Sequence, residues 1–176
     1  MTEGSGMRAA IFPGTFDPVT NGHLDLIERG LAVFDRVIVG VARRDEKNPL
    51  FTLEERVDLM RRVTEPLGDI VVCEFSGLLV HFALEQGVGT IIRGIRQVND
   101  FEFEFQMALM NRKLESNVET IFLMPKEEYT YLSSRIVKEI ARQGGAVHGL
   151  VPPLVEQVLR DRFPLRHVVR RQEPLT

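Results

Sequence analysis

The sequence predicts a doubly wound α/β fold, a five-stranded parallel sheet flanked by helices in a single domain. Three observations predict it. Apolar runs alternate with helical patterns from one end of the chain to the other, an alternation that stacks helices on both faces of a parallel sheet. The runs Val37-Ile38-Val39 and Ile70-Val71-Val72 lack polar residues at alternate positions, as strands buried on both faces do. The chain has 176 residues, 44% hydrophobic and 27% charged, enough apolar material for one core.

In chain order, Ala9-Ala10-Ile11-Phe12 marks a strand over residues 8–12, and an amphipathic pattern predicts a helix over 22–33. A strand over 36–42 precedes a helix over 52–64, which opens on the capping box Thr52-Leu53-Glu54-Glu55. Strands over 69–75 and 90–93 enclose a helix over 78–86. A helix over 99–114, a strand over 118–124 and a helix over 133–142 follow, the last ended by Gly144-Gly145. Pro152-Pro153 opens the final helix, 152–162, where a missing N–H costs little. Residues 1–7 read as a flexible extension, 8–163 as the domain and 164–176 as a basic, patternless tail.

Residues 101–110 alternate like a strand at first, but the pattern extended to Leu114 is helical and has two apolar stripes. Phe101, Phe105, Ala108 and Leu109 form one stripe, and Phe103, Met107, Met110 and Leu114 the other. Such a helix is either buried all round or shared between its own core and another subunit.

The 22 basic and 25 acidic residues leave a net charge of −3, which argues against a general nucleic-acid binder. The first residues lack a signal-peptide layout, and no apolar run approaches the roughly 20 residues needed to cross a bilayer. A cytoplasmic location, with no membrane partner, is the expectation. Cys73 stands alone, which excludes an intramolecular disulfide and a cysteine zinc cluster, and its apolar surroundings predict a buried thiol.

The stretch Gly14-Thr15-Phe16-Asp17-Pro18-Val19-Thr20-Asn21-Gly22-His23 carries the chemistry. A strand, a turn with Gly and Thr, then a helix start is a place to bind phosphate, because free N–H groups and the positive helix end converge there. Gly22 removes a Cβ where backbone meets ligand, Thr15 offers a hydroxyl, Asp17-Pro18 shapes the turn, and His23 can donate to a phosphate oxygen. Taken alone, a Thr-x-Gly-His match reads more often as a solvated turn.

Its surroundings change that reading. Residues 14–23 resemble the signature of the nucleotidylyltransferase superfamily, whose sheet is Rossmann-like. Further segments resemble one branch of it, the bacterial phosphopantetheine adenylyltransferases. These are Phe51-Thr52-Leu53-Glu54-Glu55-Arg56, Ile92-Arg93-Gly94-Ile95-Arg96, Asp100-Phe101-Glu102, Met110-Asn111-Arg112, Phe122-Leu123-Met124-Pro125 and Leu132-Ser133-Ser134-Arg135-Ile136-Val137-Lys138-Glu139, in family order between residues 8 and 163. The resemblance implies transfer of an adenylyl group from ATP, with Mg²⁺, to 4′-phosphopantetheine, giving dephospho-coenzyme A and pyrophosphate. It also implies a homohexamer and feedback inhibition by coenzyme A.

By the same resemblance, His23, Lys47 and Arg96 are catalytic, and Thr15, Lys47, Leu79 and Arg93 hold the pantetheine substrate. ATP falls to Thr15, Phe16, His23, Gly94, Ile95, Arg96, Glu104, Tyr129, Thr130, Tyr131, Leu132, Ser133, Ser134 and Arg135, and no residue is implied as a metal ligand. The residues alone leave alternatives. Lys47 reads as a solvated loop lysine, Ser133 as a helix cap, and Arg93 and Arg96 as partners for Asp100, Glu102 or Glu104. Arg135 stands where many relatives have serine, Thr130 where serine is common, and Phe12 where tyrosine is frequent. Arg135 either grips phosphate or pairs with Glu139 four residues on.

A phosphate monoester is already an ionised nucleophile at neutral pH, so the absence of a side-chain triad suits this reaction. Three competitors stay in view. Other transfers within the superfamily, to a nicotinamide nucleotide or from CTP, fit the first motif but not the whole set. A silent nucleotide sensor is at odds with the presence of His23, Lys47, Arg93 and Arg96. A dinucleotide dehydrogenase fails because no Gly-x-Gly-x-x-Gly follows the first strand.

Overall fold

The computed structural model describes residues 7–43 and 49–164. Residues 1–6 of the expected extension over 1–7, Lys47, and residues 165–176 of the expected tail over 164–176 lie outside the described residues. The elements run β1 (Ala9–Gly14), α1 (Asn21–Leu31), β2 (Arg36–Ala42), α2 (Leu53–Thr64), β3 (Ile70–Phe75), α3 (Leu79–Glu85), β4 (Thr90–Gly94), α4 (Val98–Leu114), β5 (Glu119–Leu123), a 3-10 turn (Glu127–Tyr129), α5 (Ser134–Arg142) and α6 (Pro153–Arg162). All strand pairings are parallel and the order is β3-β2-β1-β4-β5. The chain therefore builds outward from β1 to β3, crosses back and builds outward again from β4. The switch falls between β1 and β4, where ligands of such sheets sit, beyond the carboxyl ends of the strands.

The pleat sends alternate residues into two cores. Ala10 and Phe12 of β1, Val37, Val39 and Val41 of β2, and Ile92 of β4 join α1, α2, α5 and α6 in the larger one. Ile11, Ile38 and Ile91 lie side by side across the three central strands and meet Val80, Phe82 and Ala83 of α3 on the other face. Gly40 leaves room for the stacked Phe75 and Phe82 rings, 4.7 Å apart, since a Cβ there would lie 2.8 Å from Phe82.

β2 has the predicted bounds and is buried from Val37 to Val41. β3, read as buried on both faces, is an edge strand: Val71 is exposed and Cys73 only partly buried. Its lack of polar alternation reflects a continuous apolar run rather than a central position. The partial burial still pushes the Cys73 thiol pKa up. β4 runs one residue past the predicted end, to Gly94, and Arg93 lies within the strand.

α4 is helical throughout its 17 residues. Its inward line is Glu104, Ala108 and Asn111, to which the two apolar stripes contribute Ala108 alone, and Asn111 is its buried residue. Phe101, Phe103, Phe105, Met107, Leu109, Met110 and Leu114 are all exposed in the protomer. Burial all round within the monomer is thereby excluded.

Candidate active site

Because every strand is parallel, the loops after β1, β3, β4 and β5 open at one edge of the sheet. That edge carries Thr15 and Phe16, then Leu79 at the start of α3, then Gly94, Ile95 and Arg96, and finally the segment from Tyr129 to Arg135. Most of the sequence-predicted residues among those described thus come from four loops and the helix starts they feed, at the same end, while Arg93 lies within β4 and Glu104 within α4. Lys47, by contrast, lies outside the described residues.

α1 begins with Thr20 as its N-cap, and its third residue is His23. The Thr20 backbone N–H donates to His23 Nδ1 at 3.0 Å, and the Thr20 hydroxyl lies at the same distance from that atom. The His23 N–H in turn approaches Thr20 Oγ1 at 3.4 Å. This is a capping box with imidazole in the place usually held by Glu or Gln. Since Nδ1 accepts a hydrogen bond from the backbone, the neutral ring carries its proton on Nε2. Phe16 meets the ring edge-on with centroids 5.1 Å apart, and Phe12 lies 6.4 Å away. Burial, then the charges of Arg96 and Arg93, pushes the His23 pKa down to about 4. At neutral pH His23 is an uncharged donor.

Both arginines are held by carboxylates. Arg93 makes a two-pronged bond to Glu104, 2.6 Å from Nε and 2.5 Å from Nη2, and its Nη1 donates to the Pro13 carbonyl at 3.2 Å. Arg96 grips Asp100 through Nε at 3.1 Å and Nη2 at 3.3 Å, and its Nη1 donates to the Leu132 carbonyl at 2.8 Å. The open alternative of ion pairing is realised at both, with Glu104 and Asp100 and not Glu102. Glu104, expected at ATP, is occupied by Arg93. The pairs hold each guanidinium at the switch point, and the Leu132 bond joins the loop after β4 to the segment before α5.

Ser133 caps α5, accepting from the Ile136 N–H at 3.2 Å. Ser134 Oγ donates to the Pro18 carbonyl at 2.7 Å, and Thr130 Oγ1 to the Glu127 carbonyl at 2.8 Å. Tyr131 is exposed, Leu132 buried, and Tyr129 half-buried beside Gly22. Arg135 is exposed, and Glu139 takes Gln143 as its partner at 2.7 Å instead of Arg135. A Cβ at Gly22 would meet Tyr129 at 3.4 Å, an ordinary contact, so protein packing alone does not demand glycine there. Gly94 is demanded, because Leu26 of α1 fills the space its Cβ would take.

Three buried charged residues carry the site from beneath, and sequence reasoning gave none of them this part. Asp17, read as a turn former, is 2% exposed and accepts from the Leu50 N–H at 3.0 Å, the Phe51 N–H at 2.8 Å and Lys138 Nζ at 2.7 Å. Burial alone would raise its pKa; Lys138 and the two N–H groups outweigh that and hold it below the usual carboxylate range. Asp25 accepts from the Lys126 N–H at 2.9 Å and Arg29 Nε at 3.0 Å, fixing α1 to the approach to the 3-10 turn. Arg56 Nη1 donates to the carbonyls of Thr15 at 2.8 Å and Ala42 at 3.0 Å, while its buried Nε has no partner among the described residues. Arg56 lies in a noted motif, but its contacts are 41 and 14 residues away, out of reach of any local pattern.

The parallel sheet, the loops gathered at its switch point and the imidazole at the first helix start belong to a protein of the nucleotidyltransferase class. Residues 11–140 match the cytidylyltransferase-like family model. The phosphopantetheine adenylyltransferase of Moorella thermoacetica is 55% identical over 157 residues, covering 89% of this chain and 98% of the relative. That of Thermodesulfovibrio yellowstonii is 52% identical with the same coverage. The chain belongs to the phosphopantetheine adenylyltransferase family. The fold is shared with a Vibrio parahaemolyticus protein assigned as a nicotinate-nucleotide adenylyltransferase, with a TM-score of 0.62 over 89% of this chain and 93% of that one, at 17% identity.

Proposed function

We propose that this protein transfers the adenylyl group of ATP to the phosphate of 4′-phosphopantetheine, releasing pyrophosphate and dephospho-coenzyme A, by direct in-line attack without a covalent enzyme intermediate. Family membership supports the reaction. The observation that supports its chemistry is the backbone hydrogen bond accepted by His23 Nδ1, which leaves the ring proton to Nε2. A neutral ring with its proton on Nε2 is a poor base and a good donor, suited to charge that builds on the α-phosphate oxygens. The acceptor phosphate needs no deprotonation by the enzyme. The protein's task is alignment and electrostatic stabilisation.

In this scheme Thr15, Phe16 and His23 receive the α-phosphate, the α5 N-terminus at Ser133 to Arg135 receives the rest of the triphosphate, and Arg96 contributes charge. Gly94, Ile95, Glu104 and the stretch Tyr129 to Leu132 complete the ATP site. Lys47, Arg93 and Leu79 hold the phosphopantetheine. Arg93 can turn toward a phosphate only by sharing its guanidinium with Glu104. Among the described residues no three His, Cys, Asp or Glu side chains cluster to hold a metal. In this reading Mg²⁺ is carried by the nucleotide's own phosphates. The ion would neutralise charge on the leaving pyrophosphate.

Incubation with Mg-ATP and 4′-phosphopantetheine should yield pyrophosphate and dephospho-coenzyme A in equal amounts. Turnover only with nicotinamide mononucleotide, or only with CTP, would move the protein to another branch, and ATP binding without turnover would favour a sensor. Coenzyme A, which shares the pantetheine arm, is the proposed feedback inhibitor. No helix among the described residues is long and apolar enough to cross a membrane, and a cytoplasmic location fits the substrates.

A homohexamer is the proposed assembly, supported by the exposed apolar side chains of α4, from Met107 at 42% to Val98 at 81% exposure. Sedimentation should give six times the 20.0 kDa protomer mass. Phe103→Glu should shift that population toward smaller species, whereas a monomeric wild type would rule the assembly out.

A further inference from the structure

The loop after β1 is fastened at nearly every residue between Thr15 and Pro18. Arg56 holds the Thr15 carbonyl from below, Asp17 is bound to Leu50, Phe51 and Lys138, and Ser134 donates to the Pro18 carbonyl. Between these ties stands Phe16, with φ at 51°, the sole non-glycine residue with positive φ among those described. A bulky aromatic residue adopts that conformation at a cost, and it persists where neighbours over-determine it. The Phe16 ring is also the closest aromatic neighbour of His23.

Two of the ties, from Lys138 and Ser134, come from α5, and the two lie on one face of that helix, four residues apart. The strongest is the Lys138–Asp17 pair, with an ammonium 18% exposed against a carboxylate 3% exposed. Charge-assisted bonds between poorly hydrated groups are short and directional. α5 thereby cannot slide along the first loop without breaking an ion pair.

We propose that Lys138 is a positioning residue: through Asp17 it sets the distance and register between the α5 N-terminus and the Phe16–His23 wall, so that nucleotide phosphates bound at one are aligned at the other. It touches neither substrate nor the reacting atoms. The inference rests on the reaction proposed above and adds to it a residue to which no ligand contact is assigned. A displacement of about 1 Å in such an alignment costs on the order of a hundredfold in rate.

The test uses the full chain and three variants, Lys138→Met, Lys138→Gln and Lys138→Arg. Lys138→Met leaves Asp17 with both backbone donors, and Lys138→Gln also keeps a polar tip. Both should reduce kcat about 10- to 100-fold while the KM for ATP changes less than about threefold. Lys138→Arg, which can still reach a carboxylate as a cation, should recover kcat to within about threefold of wild type. A merely structural lysine would lower the melting temperature and leave kcat of the folded protein within about twofold. That result, or an arginine variant no better than glutamine, overturns the proposal. A second readout needs no turnover: exchange of the Leu50 and Phe51 amides should speed up at least about tenfold in Lys138→Gln relative to the β2 amides. Unchanged exchange also sinks the clamp, whereas a wild type silent toward both substrates but with this exchange response counts against the reaction alone.

Discussion

His23→Ala is expected to lower kcat by about 10²–10³ while weakening ATP binding far less. A single preorganised donor aimed at developing charge is worth that much in the transition state. The same donor adds little to the ground state, where water and the helix N-terminus also serve the phosphates. The free energy lost from kcat/KM should therefore appear almost wholly in kcat. Calorimetric titration with ATP beside steady-state kinetics makes the comparison, and equal losses in the two would remove the transition-state role.

The same residue sets a dependence on pH. The folded His23 pKa, about 4, lies below the ordinary imidazole value of 6.5. Between these values the unfolded chain binds the proton more readily, so the stabilisation from a neutral His23 is complete above about pH 6.5 and is lost as pH falls toward 4. His23→Ala should flatten that part of the stability profile. Catalysis between pH 6 and 8 should show no limb from this ring, because it stays neutral throughout.

The imidazole was legible as a phosphate donor because everything it needs is local: a strand, a turn and a helix start within ten residues. Its tautomer was legible in principle too. Thr20-x-x-His23 has the spacing of a capping box, and a search for any acceptor three residues past a Thr, not Glu or Gln alone, would have found it. The strands of the sheet centre were equally plain, since burial on both faces leaves an unbroken apolar run. β3 misled for the same reason. Ile70-Val71-Val72 would suit a buried strand, yet position in the sheet is decided by strand order, which no single run encodes.

α4 shows the opposite failure. Its two apolar stripes suggested burial or a shared face. Apart from Ala108 both stripes are open, and the residues turned to the protomer are a glutamate, that alanine and an asparagine. Glu104 faces inward because Arg93 waits there on β4. The arginine partners were among the pairs weighed. Which carboxylate each would take depended on helix rotation that two competing stripes could not decide.

Asp17→Ala should cost about 3–5 kcal/mol of stability, the range seen when one member of a buried ion pair is removed. The loss has two parts. Lys138 is left as a largely buried ammonium without its carboxylate, and the Leu50 and Phe51 N–H groups lose their acceptor beside a fully buried Phe51 ring. Urea denaturation should show it as a lower midpoint with little change in slope. The double variant Asp17→Ala/Lys138→Met separates the parts. With the stranded charge gone, it should be more stable than Asp17→Ala, and what is still missing relative to Lys138→Met measures the acceptor's worth to the two amides. A pair this far apart in sequence, 121 residues, is invisible to periodicity, yet it joins the first loop to the fifth helix. Acid should reproduce the damage. The Asp17 pKa is depressed in the fold, so its contribution is whole above the unfolded carboxylate range and fades as pH falls through the folded value. If Asp17→Ala instead unfolds within about 1 kcal/mol of wild type, Lys138 has found water or another partner, and the carboxylate is not the junction that holds the loop to the helix.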